Sequence, residues 1–147
     1  MAESSLLGRI RADLNTARKE RDRTRMDALG MLIAESQNRR IEKGAELTDD
    51  DIVALITGAV KRRREAAEQM RAGGRDELAT KEEAEAAILQ SYLPEQLSED
   101  EVRGLVREAI AAGATDLGAI MKSVMPRTRG RFDGKELNRI AREELGG

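Results

Sequence analysis

The chain has 147 residues, and its 26 lysines and arginines nearly balance its 28 aspartates and glutamates, for a formal net charge of −2. It contains no histidine and no cysteine, which excludes an imidazole base, a thiol nucleophile, a Cys/His zinc site and a disulfide. Only Tyr92 and Phe132 are aromatic, so the core must be aliphatic, as is typical of a helical protein. No run of about 18 apolar residues occurs, and we expect a soluble, cytoplasmic protein without membrane contact.

Apolar residues at helical spacing predict two helices before Gly44. The first is marked by Leu6, Leu7, Ile10, Leu14 and Ala17. The second is marked by Met26, Leu29, Ile33 and Ile41. Gly44 is the expected end of this second helix, because glycine adopts the left-handed conformation at a helix C-terminus at low cost.

A third helix is predicted from Asp49 to about Arg71, and the pair Gly73-Gly74 ends it. A fourth is predicted from Asp76 to about Tyr92, and Pro94 prevents its continuation. Its expected inward residues are Leu78, Ala84, Ala87, Ile88 and Leu89.

Shorter helices are predicted after this point, over 99–112, 116–125 and 134–145. No alternating run of β-branched residues appears, so no strand is expected. The sequence therefore predicts an all-α fold with an N-terminal four-helix bundle-like unit over residues 1–93. A linker over 94–97 and a small C-terminal three-helix domain over 98–147 complete the predicted organisation.

Three of the predicted helix starts share one local pattern, at Leu47-Thr48, Leu97-Ser98 and Phe132-Asp133. Each has a hydrophobic residue, a capping residue, an acid three positions later and a second hydrophobic residue. The capping side chain and the acid satisfy amides of the first turn, and the apolar pair forms a hydrophobic staple.

Charge is distributed unevenly along the chain. Between Asp76 and Glu101 nine acids accompany the single base Lys81, whereas between Met121 and Arg142 seven bases accompany two acids. A second basic stretch, residues 9–25, holds seven bases and three acids. An acidic middle and a basic C-terminal region therefore offer different surfaces to partners.

Arg63 belongs to the run 61–64, which resembles a nucleic-acid cluster. Consecutive helical residues are about 100° apart, so these four side chains cannot form one patch. Arg63 falls on the apolar stripe of the third helix, and we expect its stem to be buried and its guanidinium to pair with an acid of the fourth helix.

The segment 126–134 is the candidate phosphate site. Pro126 and Gly130 are expected to keep it out of helix, and Arg127, Arg129 and Arg131 alternate within it just before a helix N-terminus. With Lys122 and Lys135 they are the candidate nucleic-acid-binding residues. The alternative is a solvated basic loop in which Asp133 occupies the first-turn amides itself.

The carboxylates predict no chemistry of their own. The acids 49–51 and 99–101 lie in first turns, where the helix dipole explains them, and Glu82, Glu83 and Glu85 alternate with alanines on an expected exposed face. None has the spacing of a calcium loop. We therefore expect no catalytic residue, no metal site and no cofactor.

Several segments together resemble the YqeY-like family. They are residues 31–34 (Met-Leu-Ile-Ala), 41–44 (Ile-Glu-Lys-Gly), 61–66 (Lys-Arg-Arg-Arg-Glu-Ala), 74–79 (Gly-Arg-Asp-Glu-Leu-Ala), 92–97 (Tyr-Leu-Pro-Glu-Gln-Leu) and 130–134 (Gly-Arg-Phe-Asp-Gly). The family is similar in its helical region to the tail of the B subunit of the glutamine-dependent aminoacyl-tRNA amidotransferase. The resemblance spans almost the whole chain.

The resemblance implies a helical region followed by a small three-helix domain, and a link to amide transfer on charged tRNA. Carbon–nitrogen ligase activity with glutamine as donor belongs there to other parts, and we do not expect this chain to catalyse by itself. The leading hypothesis is a non-catalytic helper that binds tRNA or associates with the amidotransferase. The rival is a helical protein–protein interaction module without nucleic acid.

Overall fold

The computed structural model describes residues 3–146, and this part of the chain consists of α-helices and the turns that connect them, with no strand. The predicted all-α class is confirmed. The seven helices are α1 (Ser5–Glu20), α2 (Arg23–Lys43), α3 (Asp49–Ala72), α4 (Asp76–Gln90), α5 (Glu99–Ala111), α6 (Leu117–Thr128) and α7 (Gly134–Gly146).

The three patterned helix starts all cap as predicted. The Thr48 hydroxyl accepts from the Asp51 amide at 3.1 Å, and Ser98 does the same for Glu101 at 3.1 Å. In both cases the acid accepts in return from the amide of the capping residue, which completes a capping box. The Asp133 carboxylate accepts from the Glu136 amide at 3.3 Å at the start of α7.

The chain divides into two compact units between Leu93 and Pro94. In the first, α3 packs on α4, and α2 contacts both α1 and α4. Its core is aliphatic apart from Tyr92, and its largest fully buried side chains are Ile10, Leu29, Leu32, Ile52, Ile56 and Leu89.

The second unit packs α5, α6 and α7 against one another. Its fully buried side chains include Val102, Val106, Ile120, Val124, Leu137 and Ile140. Phe132 is half-buried against this core, in agreement with a hydrophobic staple at α7. Residues 94–97 are hydrogen-bonded to residues 130–131 of the same unit.

Periodicity misplaced several side chains of α2 and α4. Ile41 is 74% exposed and Leu78 is 48% exposed, although both were predicted to face the core. Ala84 and Ala87 are also exposed, while Glu85, predicted on an open face, is only 4% exposed. Alanine occurs on both the buried and the exposed side of helices, so a helix such as α4, whose apolar residues are mostly alanine, carries a weak signal for its inward face.

Arg63 lies where the sequence predicted. Only 14% of its side chain is exposed, and its Nη1 lies 3.4 Å from Glu82 Oε2 and 3.2 Å from Glu85 Oε2. Both acids belong to α4, so the predicted ion pair with the fourth helix is confirmed. Its neighbour Arg62 instead pairs with Glu35 at the surface, at 3.0 Å.

Candidate nucleic-acid interface

The C-terminal end of α6 differs from the prediction. The helix continues through Pro126 to Thr128, so Arg127 is helical and the prediction of a non-helical loop beginning at Pro126 is wrong. Pro126 has no amide donor and its ring crowds the carbonyl one turn earlier, but beyond it the Arg129 amide still donates to the Met125 carbonyl at 3.0 Å. A proline in the last turn therefore does not end this helix.

Lys122 and Met125 lie on one face of α6, because they are three residues apart, and Arg129 caps the same helix with its amide bonded to the Met125 carbonyl. All three side chains are exposed. A Cβ added to Gly134 would lie 4.0 Å from the Met125 methyl carbon, so the start of α7, with the exposed Lys135, adjoins this face. We call Lys122, Arg129 and Lys135 the cationic face.

Arg127 does not belong to the cationic face. It lies five residues after Lys122, about 140° around the helix. Its Nη1 is 3.4 Å from Glu108 Oε1 of α5, in an ion pair that is exposed on both sides. The structure therefore separates Arg127 from the other candidate cations of α6.

Arg131 joins two distant segments of the chain. Its Nε donates to the Glu95 carbonyl at 2.9 Å and its Nη1 to the Arg127 carbonyl at 3.3 Å. Beside it the Leu97 amide donates to the Arg131 carbonyl at 2.8 Å, and Gln96 Nε2 donates to the Gly130 carbonyl at 2.7 Å. We call this set of bonds the clasp.

The clasp connects the two most specific motifs of the sequence, residues 92–97 and 130–134. The Glu95 carbonyl, which accepts from Arg131, lies 36 positions earlier in the chain. No pattern of side chains in the sequence reveals a backbone acceptor at that separation. The Arg131 guanidinium therefore helps to hold the fold of the second unit, and its Nε and Nη1 donors are already used by backbone carbonyls.

Much of the remaining positive charge of this region is neutralised locally. Arg139 pairs with Glu99 at 2.5 Å, with Glu136 at 2.7 Å and with Glu143 at 2.7 Å. The hydrogen bonds that Arg139 donates to these carboxylates, to Glu136 first, raise the pKa of Arg139. A count of bases along the sequence therefore overstates the positive charge that this region offers a partner.

The N-terminus of α7 carries its own anion. The Asp133 carboxylate already accepts from the Glu136 amide, as the alternative reading of the sequence required. This position is therefore occupied by the chain itself, and any phosphate contact depends on the lysine and arginine side chains rather than on the amides of α7.

Residues 3–146 contain neither a cluster of metal ligands nor a membrane-spanning helix. This part of the chain brings together no group of three metal-ligating side chains. No helix within it is both long enough and apolar enough to cross a membrane.

Comparison with known proteins decides the family. A family model described as Yqey-like protein matches residues 7–145. The chain belongs to the YqeY-like family. The resemblance carried by the motifs is thereby confirmed, and two YqeY-like motifs, residues 92–97 and 130–134, now have a structural role in the clasp.

Two curated proteins are similar to this YqeY-like chain. One is "Altered inheritance of mitochondria protein 41, mitochondrial" of Pyrenophora tritici-repentis, 27% identical over 150 residues, which cover 98% of this chain and 83% of the relative. The other is "Uncharacterized protein C22F3.15" of Schizosaccharomyces pombe, 30% identical over 89 residues, which cover 60% of this chain and 72% of the relative. The name of the first relative refers to mitochondria, and a cytoplasmic location for this chain stays a prediction.

Proposed function

We propose that this YqeY-like protein is a non-catalytic helper that binds tRNA, or a tRNA amidotransferase carrying it, through phosphate contacts. The observation that supports the proposal is the cationic face, where Lys122, Arg129 and Lys135 are exposed around one helix junction of the second unit. Lysine and arginine side chains on a rigid helical surface supply the charge that neutralises phosphates.

The mode of binding follows from the aromatic residues. Tyr92 is buried in the first core, and Phe132 is half-buried against the second. Neither side chain offers a face on which an unpaired base could stack. Recognition would therefore use the shape and the phosphate backbone of folded RNA rather than base edges.

The test removes the positive charges of the cationic face and keeps the hydrogen bonds of the clasp. In the face variant, Lys122, Arg129 and Lys135 are changed to glutamine while Arg131 is retained. We expect tRNA binding to weaken and the slope of log affinity against log salt to flatten by roughly 2 to 3, at about 0.7 to 0.9 per phosphate contact. The affinity for duplex DNA, measured over the same range of salt concentrations, shows how far binding depends on the shape of RNA.

A control variant removes the same charge elsewhere. Arg39, Arg64 and Arg75 are exposed arginines of the first unit, and their replacement by glutamine also removes three positive charges. The proposal is wrong if the parent protein does not bind tRNA at about 50 mM salt. It is equally wrong if the face variant and the control variant lose the same affinity.

A protein-interaction module is the second candidate, and Gly104 favours it. This residue lies in the interior of α5, it is exposed, and a Cβ added there would meet nothing within 4 Å. Glycine in a helix interior costs about 1 kcal/mol relative to alanine. The residue lies beside a shallow groove whose other lining includes Leu97, Leu105 and Glu108.

A partner helix could approach the backbone closely at Gly104. We therefore expect Gly104→Ala to stabilise the free protein by about 0.5 to 1 kcal/mol and to weaken association with a purified glutamine-dependent tRNA amidotransferase in sedimentation experiments. Unchanged association, or none with the parent, would remove this candidate.

A further inference from the structure

The end of α1, the turn after it and the first residue of α2 carry four exposed cations within residues 18–23, namely Arg18, Lys19, Arg21 and Arg23. The Cα atoms of this segment cannot span more than about 19 Å. Within residues 3–146 none of the four forms an ion pair, and Arg18 donates only to the amide oxygen of Asn15, at 3.3 Å. We call these four residues the cationic corner.

The two acids of the segment form no ion pair with the four cations, and residues 18–23 keep a formal net charge of +2. Asp22 caps α2, where its carboxylate accepts from the Arg25 amide at 3.2 Å. Glu20 is exposed at the end of α1. In the second unit, by contrast, Arg103, Arg107 and Arg139 are all held by glutamates. The corner therefore presents its charge outward.

Arg21 has an unusual backbone. Its φ is 57°, and it is the one residue other than glycine with a positive φ among residues 3–146. The Arg21 amide donates to the Arg18 carbonyl and the Asp22 amide to the Ala17 carbonyl, at 3.2 and 2.9 Å, which is the Schellman arrangement. Glycine is the residue that suits this position, so the fold itself gains nothing from a long cationic side chain there.

The surroundings of the corner favour a phosphate backbone as its ligand. The exposed large apolar residues, Met31, Ile41, Leu78, Met125 and Leu145, all lie outside residues 18–23. The core of a protein interface is apolar, and stable anchoring to a membrane takes an inserted apolar group in addition to a basic patch. Closely spaced cations without one match the regular negative charge of a nucleic acid.

We propose that the cationic corner is a second phosphate-contacting surface for folded RNA, in a different unit from the cationic face. The RNA identity of the ligand rests on the proposed function, whereas the location of the contact rests on the exposed, unpaired charge of the corner. Each surface would contribute its own share of the salt dependence of RNA binding.

The test uses the full chain and two variants of the corner. The first changes Lys19, Arg21 and Arg23 to glutamine, which removes three charges, as the control variant at Arg39, Arg64 and Arg75 does. We expect tRNA affinity at about 0.1 M salt to fall at least tenfold and the salt slope to flatten by roughly 2 to 3. The control variant should change both by much less.

The second variant is Arg21→Gly, which separates binding from folding. Glycine adopts the observed φ without strain, so this variant should melt no lower than the parent while its salt slope flattens by about 0.7 to 0.9. If its tRNA binding equals that of the parent, Arg21 is not a phosphate contact and the corner proposal is overturned.

The outcomes distinguish the two surfaces. If the face variant loses tRNA binding and the corner variant matches the control, the proposed function stands and the corner proposal falls. If only the corner variant loses binding, the corner is the RNA surface and the assignment of the cationic face is wrong. If the parent protein does not bind tRNA but binds phosphatidylserine vesicles through the corner, the identification of RNA as the ligand is overturned in both proposals.

Discussion

In the N-terminal unit, Arg63 lies between Glu82 and Glu85, and 6% of the Glu85 side chain is exposed. In the C-terminal unit, Arg139 bridges Glu99 and Glu143, with about half of the Glu99 side chain exposed. The residue types are the same in the two clusters. The N···O distances are 3.4 and 3.2 Å around Arg63, and 2.5 and 2.7 Å from Arg139 to Glu99 and Glu143, so the exposed contacts are the shorter ones. Burial also differs, and it sets the desolvation cost of each cluster.

The pKa values of the acids register this difference. Burial raises the pKa of Glu85, and the attraction of Arg63 only partly opposes it. Hydrogen bonds from Arg103 and Arg139 lower the pKa of Glu143. Burying Glu85 therefore has a desolvation cost that the attraction of Arg63 only partly offsets. The exposed network around Arg139 contributes a small stabilisation at a small desolvation cost.

The largest effect we expect comes from leaving the buried acids without their partner. Arg63→Ala should lower the free energy of unfolding by about 3 kcal/mol, because Glu85 then remains buried beside Glu82. Arg62→Ala, which breaks a surface pair with Glu35, should change it by less than about 0.5 kcal/mol. Urea unfolding of both variants measures the difference, and equal small effects would show that burial does not separate the two arginines.

A smaller effect is expected at the clasp. Arg131→Ala removes the donors to the Glu95 and Arg127 carbonyls and should cost about 1 to 2 kcal/mol, at about 1 kcal/mol for each hydrogen bond. Lys135→Ala, a nearby exposed cation, should cost less than about 0.5 kcal/mol. If the two substitutions are equivalent in thermal melts, Arg131 is a surface cation like the others and becomes available to phosphate again.

The features that the sequence predicted well are local. The capping boxes at Thr48 and Ser98 depend on residues three positions apart, and Arg63 could be placed because apolar neighbours mark its helix face. The burial of Glu85 could not be predicted, because the apolar residues of α4 are not concentrated on one face of the helix. The rule that proline ends a helix failed at Pro126 because the next turn keeps its own hydrogen bonds.

The candidate site could be predicted only in part, for a related reason. Sequence composition located a basic region, but it could not show that Arg131 donates to backbone carbonyls or that Arg127 faces Glu108. Those partners lie 36 and 19 residues away in the chain. The family motifs at residues 92–97 and 130–134 were visible from the sequence, yet their contact with each other depends on tertiary structure alone.

The contributions of the two clusters to stability should change with pH in opposite directions. Because the pKa of Glu85 is raised in the folded chain, its contribution to stability is present below its ordinary pKa of about 4.5 and is lost as pH rises above it. Because the pKa of Glu143 is lowered, its contribution is present above about 4.5 and is lost as pH falls. Urea unfolding of Glu85→Gln and Glu143→Gln between about pH 3 and pH 7 should therefore diverge from the parent in opposite directions.

The smallest effect we expect is the response of the exposed network to salt. At about 0.05 M NaCl, Arg139→Gln should be slightly less stable than the parent, because three glutamates lose a common cation. At about 1 M NaCl the Debye length is about 3 Å, so the network is screened and this difference should vanish. The difference between Arg63→Ala and the parent should survive the same change, since water and ions hardly reach Glu85. A loss that shrinks equally in both variants would mean that the Arg63 cluster is as open to solvent as the network around Arg139.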